Sequence, residues 1–387
     1  MRPETLERAL RRYDRAPHLV FWETTKACAL SCRHCRASAQ TEPLPGELST
    51  QEAPRFIDQV ADVDAPTPIL IFTGGDCFAR PDLEALIAHA HERGIRVGIS
   101  PSVTDRLTRD RLARLYDMGV RSISLSLDGS GPRSHDGIRG IPGHFARTAD
   151  AVLLARDLGY RVQINTTVME RNARELADVA SLLVSWDVPI WEVFFLVGVG
   201  RGAVVREISP RDAEDVCHFL VDVTRRGLTV RTVEAPFFRR VQAERNDVDD
   251  SDPTARFGLG SLYTRLRQRL GDPVAGVAHA TASNSLATGD GRGIVFVGYD
   301  GAVHASGFLP VAVGNVRDTP LGEIYATSEL LTTLRLGRRS GACGQCAFGQ
   351  LCGGSRARAY VRTGDIHGED PLCIKSLSAE HELLRIR

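Results

Sequence analysis

The chain has 387 residues, 43% hydrophobic and 25% charged, and its 48 Lys and Arg balance its 48 Asp and Glu. This is material for a full core and not for disorder, over a length that allows two or three domains or one barrel with an appendage. Zero net charge argues against a protein built to grip nucleic acid or an anionic membrane surface, and no run of about 18 apolar residues offers a membrane span.

Residues 1–17 form an extension rich in Arg and Glu, unlike a signal peptide, so a cytoplasmic location is expected. Apolar runs suited to buried parallel strands follow at residues 18–25, 68–74, 96–100, 122–127, 161–168 and 189–197. Each precedes a stretch of helical period, at 50–63, 82–93, 108–118, 144–158, 173–186 and 210–226. Six βα units over residues 18–228 predict an α/β fold with a parallel sheet, either open and doubly wound or a partial (βα)6 barrel, with ligands at the carboxyl ends of the strands. Beyond residue 228, an acidic turn-rich segment at 241–253 and a Gly, Ala, Ser and Thr-rich one at 271–293 make 229–293 read as linker with one short helix at 259–270. A hairpin-like stretch, IVFVGYDGAVHAS, turns at Asp300-Gly301 and opens a small cysteine-bearing domain over 294–387.

Nine cysteines are poor material for a disulfide framework, so their spacing must carry their use. Three lie in CALSCRHC at Cys28, Cys32 and Cys35, and four lie near the other end at Cys343, Cys346, Cys352 and Cys373. Cys77 and Cys217 stand apart and read as buried fillers, Cys77 with the alternative of a thiol facing the site. Three thiolates leave one iron of a cubane open, as catalytic metal sites keep a position for substrate. Zinc would need a fourth ligand, for which His34 is the nearest, and three unliganded buried thiols are the plain alternative. Polar or glycine residues recur at the ends of the later strands: Gly74-Gly75-Asp76, Ser100, Ser126 with Asp128, and Asn165 on the fifth.

In motif, order and strand position, residues 17–200 resemble the radical S-adenosylmethionine (SAM) superfamily, whose partial TIM-type barrel fits the six units. The resemblance implies a [4Fe–4S] cluster on Cys28, Cys32 and Cys35, whose open iron chelates SAM. Reductive cleavage of SAM would then give a 5′-deoxyadenosyl radical that abstracts hydrogen from substrate. It further implies that Gly74, Gly75 and Asp76, standing for the family's GGE, contact the SAM methionine amino group. Ser100 falls to the methionine carboxylate region, Ser126, Asp128 and Asn165 to the ribose, and His34 and Val197 to the adenine.

The C-terminal spacing, Cys343-x2-Cys346-x5-Cys352 then Cys373, suits a zinc ribbon or a second cluster equally well. Beside the first motif it resembles the SPASM (twitch-like) extension of radical SAM enzymes. It departs from that pattern where Arg356 replaces the last cysteine of the core and where the upstream hairpin lacks a cysteine. One auxiliary [4Fe–4S] cluster with four thiolates is therefore expected, in place of two. GNVRD (314–318), GVGRG (198–202) and the segment from Cys352 to Cys373 resemble the enzymes of haem d1 and alternative haem biosynthesis. That points to side-chain chemistry on a small polar or tetrapyrrole-like substrate, with Arg139, Arg201, Arg356 and Arg358 as candidates for its carboxylates. The resemblance also implies an electron donor such as flavodoxin or ferredoxin. The alternative within the same chemistry is a maturase of a ribosomal peptide, which the short N-terminal extension disfavours. A zinc-binding interaction protein is the alternative of another class, and it leaves the polar strand ends unexplained.

Overall fold

A computed structural model of the chain describes residues 13–63, 66–246, 253–271 and 288–376. In chain order the strands are β1 (Leu19–Glu23), β2 (Ile69–Thr73), β3 (Arg96–Ile99), β4 (Ser122–Ser126), β5 (Arg161–Val168), β6 (Ile190–Phe195), β7 (Thr229–Val233), β8 (Gly289–Asp290), β9 (Gly293–Val297), β10 (Ala302–His304) and β11 (Ala312–Asn315). The helices are α1 (Glu52–Ala61), α2 (Leu83–Glu92), α3 (Arg109–Asp117), α4 (Pro132–Arg139), α5 (His144–Asp157), α6 (Leu176–Ser185), α7 (Pro210–Thr224), α8 (Phe237–Asn246), α9 (Pro253–Phe257), α10 (Ser261–Leu270), α11 (Leu321–Thr327), α12 (Glu329–Arg335), α13 (Gly341–Gln345) and α14 (Arg356–Thr363). The six expected βα units are all present, and the fold is α/β with parallel strands.

Local chemistry explains these elements. Helix α1 buries Ala53, Phe56, Ile57 and Val60, the spacing of a single helical face. Ser209 caps α7 through the Asp212 N–H, with Pro210 in the first turn where its missing N–H costs nothing, and Thr108 caps α3 through the Arg111 N–H. Along β5, Val162, Ile164, Thr166 and Val168 are buried while Gln163, Asn165 and Thr167 are half-buried, so one face carries the core and the other polar groups.

The chain divides into two compact units. The first comprises Met1–Ser126, Asp136–Gln163 and Ser285–Leu336. Its sheet runs β11-β10-β9-β1-β2-β3-β4, with β1 to β4 parallel. Trp22 is fully buried against Phe56 and Phe72, with Arg80 stacked on its ring. The second unit comprises Leu127–His135, Ile164–Asn284 and Gly337–Arg387. Here β6 and β7 pair in parallel from Ile190↔Thr229 to Phe194↔Val233, and α7 is buried along nearly its whole length, Cys217 included.

The structure corrects the sequence reading beyond the six units. The segment taken as linker from residue 229 contains β7, α8 and α9 besides the expected helix, which is α10. TVRTV makes a strand because four of its five residues are β-branched, with no apolar run to announce it. The expected C-terminal domain is also shared between the units. Apolar β9 lies parallel on the edge of β1, Leu19↔Ile294 to Trp22↔Val297, so the hairpin extends the first sheet, whereas residues 337–376 belong to the second unit. Most of the N-terminal extension and the linker assignments at 247–252 and 272–287 fall outside the described residues.

Candidate functional site

In the first unit, β1 ends at Glu23 and the chain runs into a loop carrying Cys28, Cys32 and Cys35. Glu47 anchors the loop's start, its Oε1 accepting from Thr25 Oγ1 (2.8 Å) and from the N–H groups of Lys26 (2.9 Å) and Leu44 (3.2 Å). Lys26 Nζ then reaches forward to the Ala37 carbonyl at 3.0 Å, closing the loop across its base. Cys28 and Cys32 are buried with Leu30 and Ala39, and Cys35 packs against the same cluster half-buried.

Donors are aimed at the sulfurs. The Leu30 N–H points at Cys28 Sγ (3.4 Å), Ser102 Oγ lies 3.5 Å from the same sulfur, and Arg139 Nη1 donates to Cys32 Sγ at 3.5 Å. Burial pushes the Cys28 thiol above its ordinary value, a cost that ligation removes by holding the sulfur as thiolate. Among the described residues, no three His, Cys, Asp or Glu side chains are grouped as the ligands of a single metal ion would be. A cubane binds each thiolate on a different iron, so its ligands need not converge in that way. A loop of three cysteines with N–H groups directed at two of its sulfurs, and a serine hydroxyl beside one of them, fits such a cluster.

The glycines after β2 serve this loop. Gly74 has φ +148°, and a Cβ there would lie 2.6 Å from the Thr25 carbonyl oxygen. At Gly75 a Cβ would stand 2.5 Å from the Ala27 carbonyl oxygen and 2.7 Å from that of Lys26. The two backbones touch through Gly75 N–H to Thr25 O (2.8 Å) and Asp76 N–H to Ala27 O (2.7 Å). What these glycines admit is the cysteine loop's own backbone, a use the expected SAM contact did not foresee.

Asp76 likewise turns inward. It is fully buried, accepting at Oδ1 from the N–H groups of Phe78 (3.1 Å) and Ser102 (3.2 Å) and at Oδ2 from Thr104 Oγ1 (2.8 Å). Burial raises its pKa against these hydrogen bonds, which lower it. The carboxylate expected to meet the SAM amino group fixes the segment after β3. That segment presents Ser102, whose hydroxyl donates to Gly75 O at 2.9 Å beside Cys28. Sequence reading chose Ser100, which is half-buried with its N–H on Phe72 O; Ser102, two residues on, is the serine that reaches the cysteine. Cys77 is fully buried, its thiol pushed well up by burial, as a filler would be.

Arg36 was also missed. It follows Cys35, pairs with buried Glu23 at 3.1 Å, donates to Gly307 O at 3.0 Å and lies over the Phe296 ring at 4.5 Å. Nothing in sequence marks it, because Gly307 is 271 residues away. His34 and Ser126 are half-buried in this unit, His34 between the second and third cysteines and Ser126 as the last residue of β4. Arg139, proposed for substrate, is buried at the end of α4 with its guanidinium on Cys32.

In the second unit, Asp128 is fully buried and its Oδ1 accepts the Thr167 N–H at 2.8 Å, while the Asp128 carbonyl takes Asn172 Nδ2 at 2.8 Å. Asn165 lies on the half-buried face of β5, its carbonyl accepting from Leu127 N–H at 2.9 Å. Val197 stands two residues beyond the end of β6, buried, its carbonyl taken by the Val199 N–H at 2.7 Å. Arg201 is half-buried on a short 3-10 helix, Gly200–Val204.

The C-terminal cysteines belong to this unit. Cys343 is buried on α13, and Cys346, Cys352 and Cys373 are half-buried. Burial pushes the Cys352 thiol up to about 12 and that of Cys373 up to about 11. Gly353 and Gly354 follow Cys352 with positive φ, and a Cβ at Gly354 would stand 3.0 Å from Cys343 Sγ. That cradle, open only to glycine, and four thiols on one compact segment fit a fully cysteine-ligated cluster.

The last two candidate arginines are corrected. Arg358, 1% exposed, donates to Glu234 O (2.8 Å), Phe195 O and Leu196 O (3.2 Å each), and pairs with Asp370 and Glu207 at 3.4 Å. Arg356 is buried, donating to Gly354 O, Ile366 O, Gly368 O and Cys343 Sγ. Both guanidiniums are engaged by carbonyl oxygens, carboxylates or a thiol inside the fold.

Comparison with known proteins agrees with this geometry. Residues 22–183 match the radical SAM superfamily. An AdoMet-dependent heme synthase of Nitratidesulfovibrio vulgaris is 36% identical over 96% of this chain and 95% of its own. A second, from Methanosarcina barkeri, is 34% identical over 93% of this chain and 97% of its own. Among solved structures, Streptococcus suis SuiB bound to its precursor peptide SuiA is similar in fold, with TM-score 0.65 over 96% of this chain and 79% of that one at 14% identity.

Proposed function

This chain belongs to the radical SAM superfamily, and from that membership we propose that it is an enzyme abstracting hydrogen from a carboxylate-bearing tetrapyrrole or a chemically similar small polar substrate. The similarity to heme synthases carries this reading, because at 36% and 34% identity it covers nearly the whole chain and not the barrel alone. When bound, the [4Fe–4S] cluster and SAM supply the electron and the radical that does the chemistry. The chain's own residues hold and shield them. Cys28, Cys32 and Cys35 would ligate that cluster, and the Leu30 N–H, Ser102 and Arg139 support its sulfur ligands. Asp76 and the glycines position the loop, while His34 and Ser126 are the half-buried polar groups of the first unit offered to SAM. Arg201, half-buried on its 3-10 helix, is a candidate for a substrate carboxylate. Cys343, Cys346, Cys352 and Cys373 would hold one auxiliary cluster with no open iron, suited to electron transfer or structure. A flavodoxin or ferredoxin would deliver the electron. Among the described residues no helix is long and apolar enough to cross a membrane.

The test is anaerobic incubation with dithionite, SAM and separate panels of porphyrinoids carrying propionate or acetate side chains, peptides and sugar nucleotides. Deuterium transfer into 5′-deoxyadenosine from a porphyrinoid alone is the expected result. Transfer from peptides alone would replace this reading with that of a peptide maturase.

A further inference from the structure

We propose that half-buried Arg339 and buried Arg356 form a cationic pair that raises the reduction potential of the C-terminal cluster, so that the arginine standing in place of a cysteine tunes the remaining site. This rests on the reading that the four C-terminal cysteines carry one cluster. Arg356 is 6% exposed and fixed by three carbonyl oxygens: Nε on Gly354 (3.2 Å), Nη1 on Ile366 (3.1 Å) and on Gly368 (2.6 Å). Its remaining nitrogen, Nη2, points at Cys343 Sγ, 3.8 Å away. Arg339 is set by the neighbouring glycine, with Nε on Gly353 O at 3.1 Å and Nη1 on Gly337 O at 2.9 Å. A Cβ at Gly353 would stand 2.5 Å from Arg339 Nε, and one at Gly354 would stand 2.6 Å from Arg356 Nη2. Both guanidiniums therefore flank the Gly-Gly that follows Cys352.

Charge makes the inference specific. Arg240 and Arg358, buried in the same unit, each meet carboxylates: Arg240 those of Glu214 and Glu244, Arg358 those of Asp370 and Glu207. Among the described residues, Arg339 and Arg356 take only carbonyl oxygen and sulfur. Burial pushes the Arg339 guanidinium below its ordinary value, and Arg356 beside it pushes the same way while Cys352 and Cys343 oppose. A buried and a half-buried cation with no carboxylate partner among the described residues are costly unless an anion sits among them. An oxidised cubane with four thiolates is a dianion, so the charges match. Fixed cations and N–H groups at the sulfurs stabilise the reduced, more negative form most, which raises the potential.

The test is an anaerobic EPR redox titration of the full enzyme, following the cluster signal that added SAM does not alter, with iron counted on the same samples. Arg356→Gln and Arg339→Gln should each lower the reduced-to-oxidised ratio at fixed poise by about tenfold, about 59 mV for one electron, at about eight irons per chain. Unchanged ratios in both variants at full iron would overturn the inference and leave the cluster reading intact. About four irons in the unaltered enzyme would overturn that reading and the inference with it. If a Gln variant loses iron, Arg356→Lys and Arg339→Lys keep the charge and should hold the unaltered potential; a fall in both would refute the electrostatic account.

Discussion

Gly75→Ala is the most direct probe of how the glycines after β2 act. The added methyl would stand 2.5 Å from Ala27 O, 2.7 Å from Lys26 O and 2.9 Å from the Ala27 carbonyl carbon, all backbone atoms. To bring the closest contact out to the 3.0–3.4 Å that tight packing tolerates, the two backbone segments must part by roughly 0.5–0.9 Å. Two hydrogen bonds, Gly75 N–H to Thr25 O and Asp76 N–H to Ala27 O, resist that movement. Ala27 is bonded directly to Cys28, so the displacement passes to the first cluster ligand. Overpacking of this kind costs about 1–3 kcal/mol of stability. A misplacement approaching 1 Å at a reacting centre costs about a hundredfold in rate. The assay is the initial rate of 5′-deoxyadenosine formation at saturating SAM, with iron content and denaturant midpoint on the same preparation. Gly289→Ala, where the methyl meets nothing within 4 Å, serves as control and should stay within about twofold. A Gly75→Ala enzyme with unaltered rate and stability would refute the close-approach argument.

Three further outcomes follow from the same geometry. Asp76→Asn keeps an acceptor for the Phe78 and Ser102 N–H groups and should retain SAM cleavage within about tenfold, whereas Asp76→Ala orphans both at about 1–3 kcal/mol each and should lose it; equal loss in both would mean the charge itself meets SAM. Arg358→Met leaves Asp370 and Glu207 without their buried cation and should cost about 3–5 kcal/mol in denaturant unfolding; unaltered stability with a raised KM would restore it as a substrate arginine. His144 is buried on α5 with Nε2 on Val103 O (3.0 Å), and burial holds its pKa down at about 4. Its folded value lies below the unfolded one, so its stabilisation is complete above about pH 6.5 and is lost as pH falls towards 4. Between pH 7.5 and pH 5 the loss is about 2 kcal/mol, and His144→Asn should remove that part of the slope.

Period and order were legible in the sequence. Each of the six expected βα units lies within three residues of its observed ends, because apolar strands and amphipathic helices declare themselves locally. The cysteine loop was legible for the same reason, since its three thiols and the strand before it are contiguous. What escaped was long-range or polar. The β7 strand TVRTV carries Arg and Thr where an apolar run was sought, and α4 is short, with a glycine within it and others at both ends. Glu47, Ser102 and Arg36 shape the loop through partners tens to hundreds of residues distant, which no local pattern encodes. Arg356 and Arg358 looked alike as sequence, arginines in a polar stretch. Only the fold reveals the carbonyl oxygens and carboxylates that hold them inside.

The account stands on the three cysteines after β1. The measurement that tests them most directly is 5′-deoxyadenosine formation from SAM and dithionite by the anaerobically reconstituted enzyme, set against its Cys28→Ala variant at matched protein and iron. Formation in the first and none in the second is the predicted result; undiminished cleavage by Cys28→Ala would contradict the assignment of this loop as the catalytic centre.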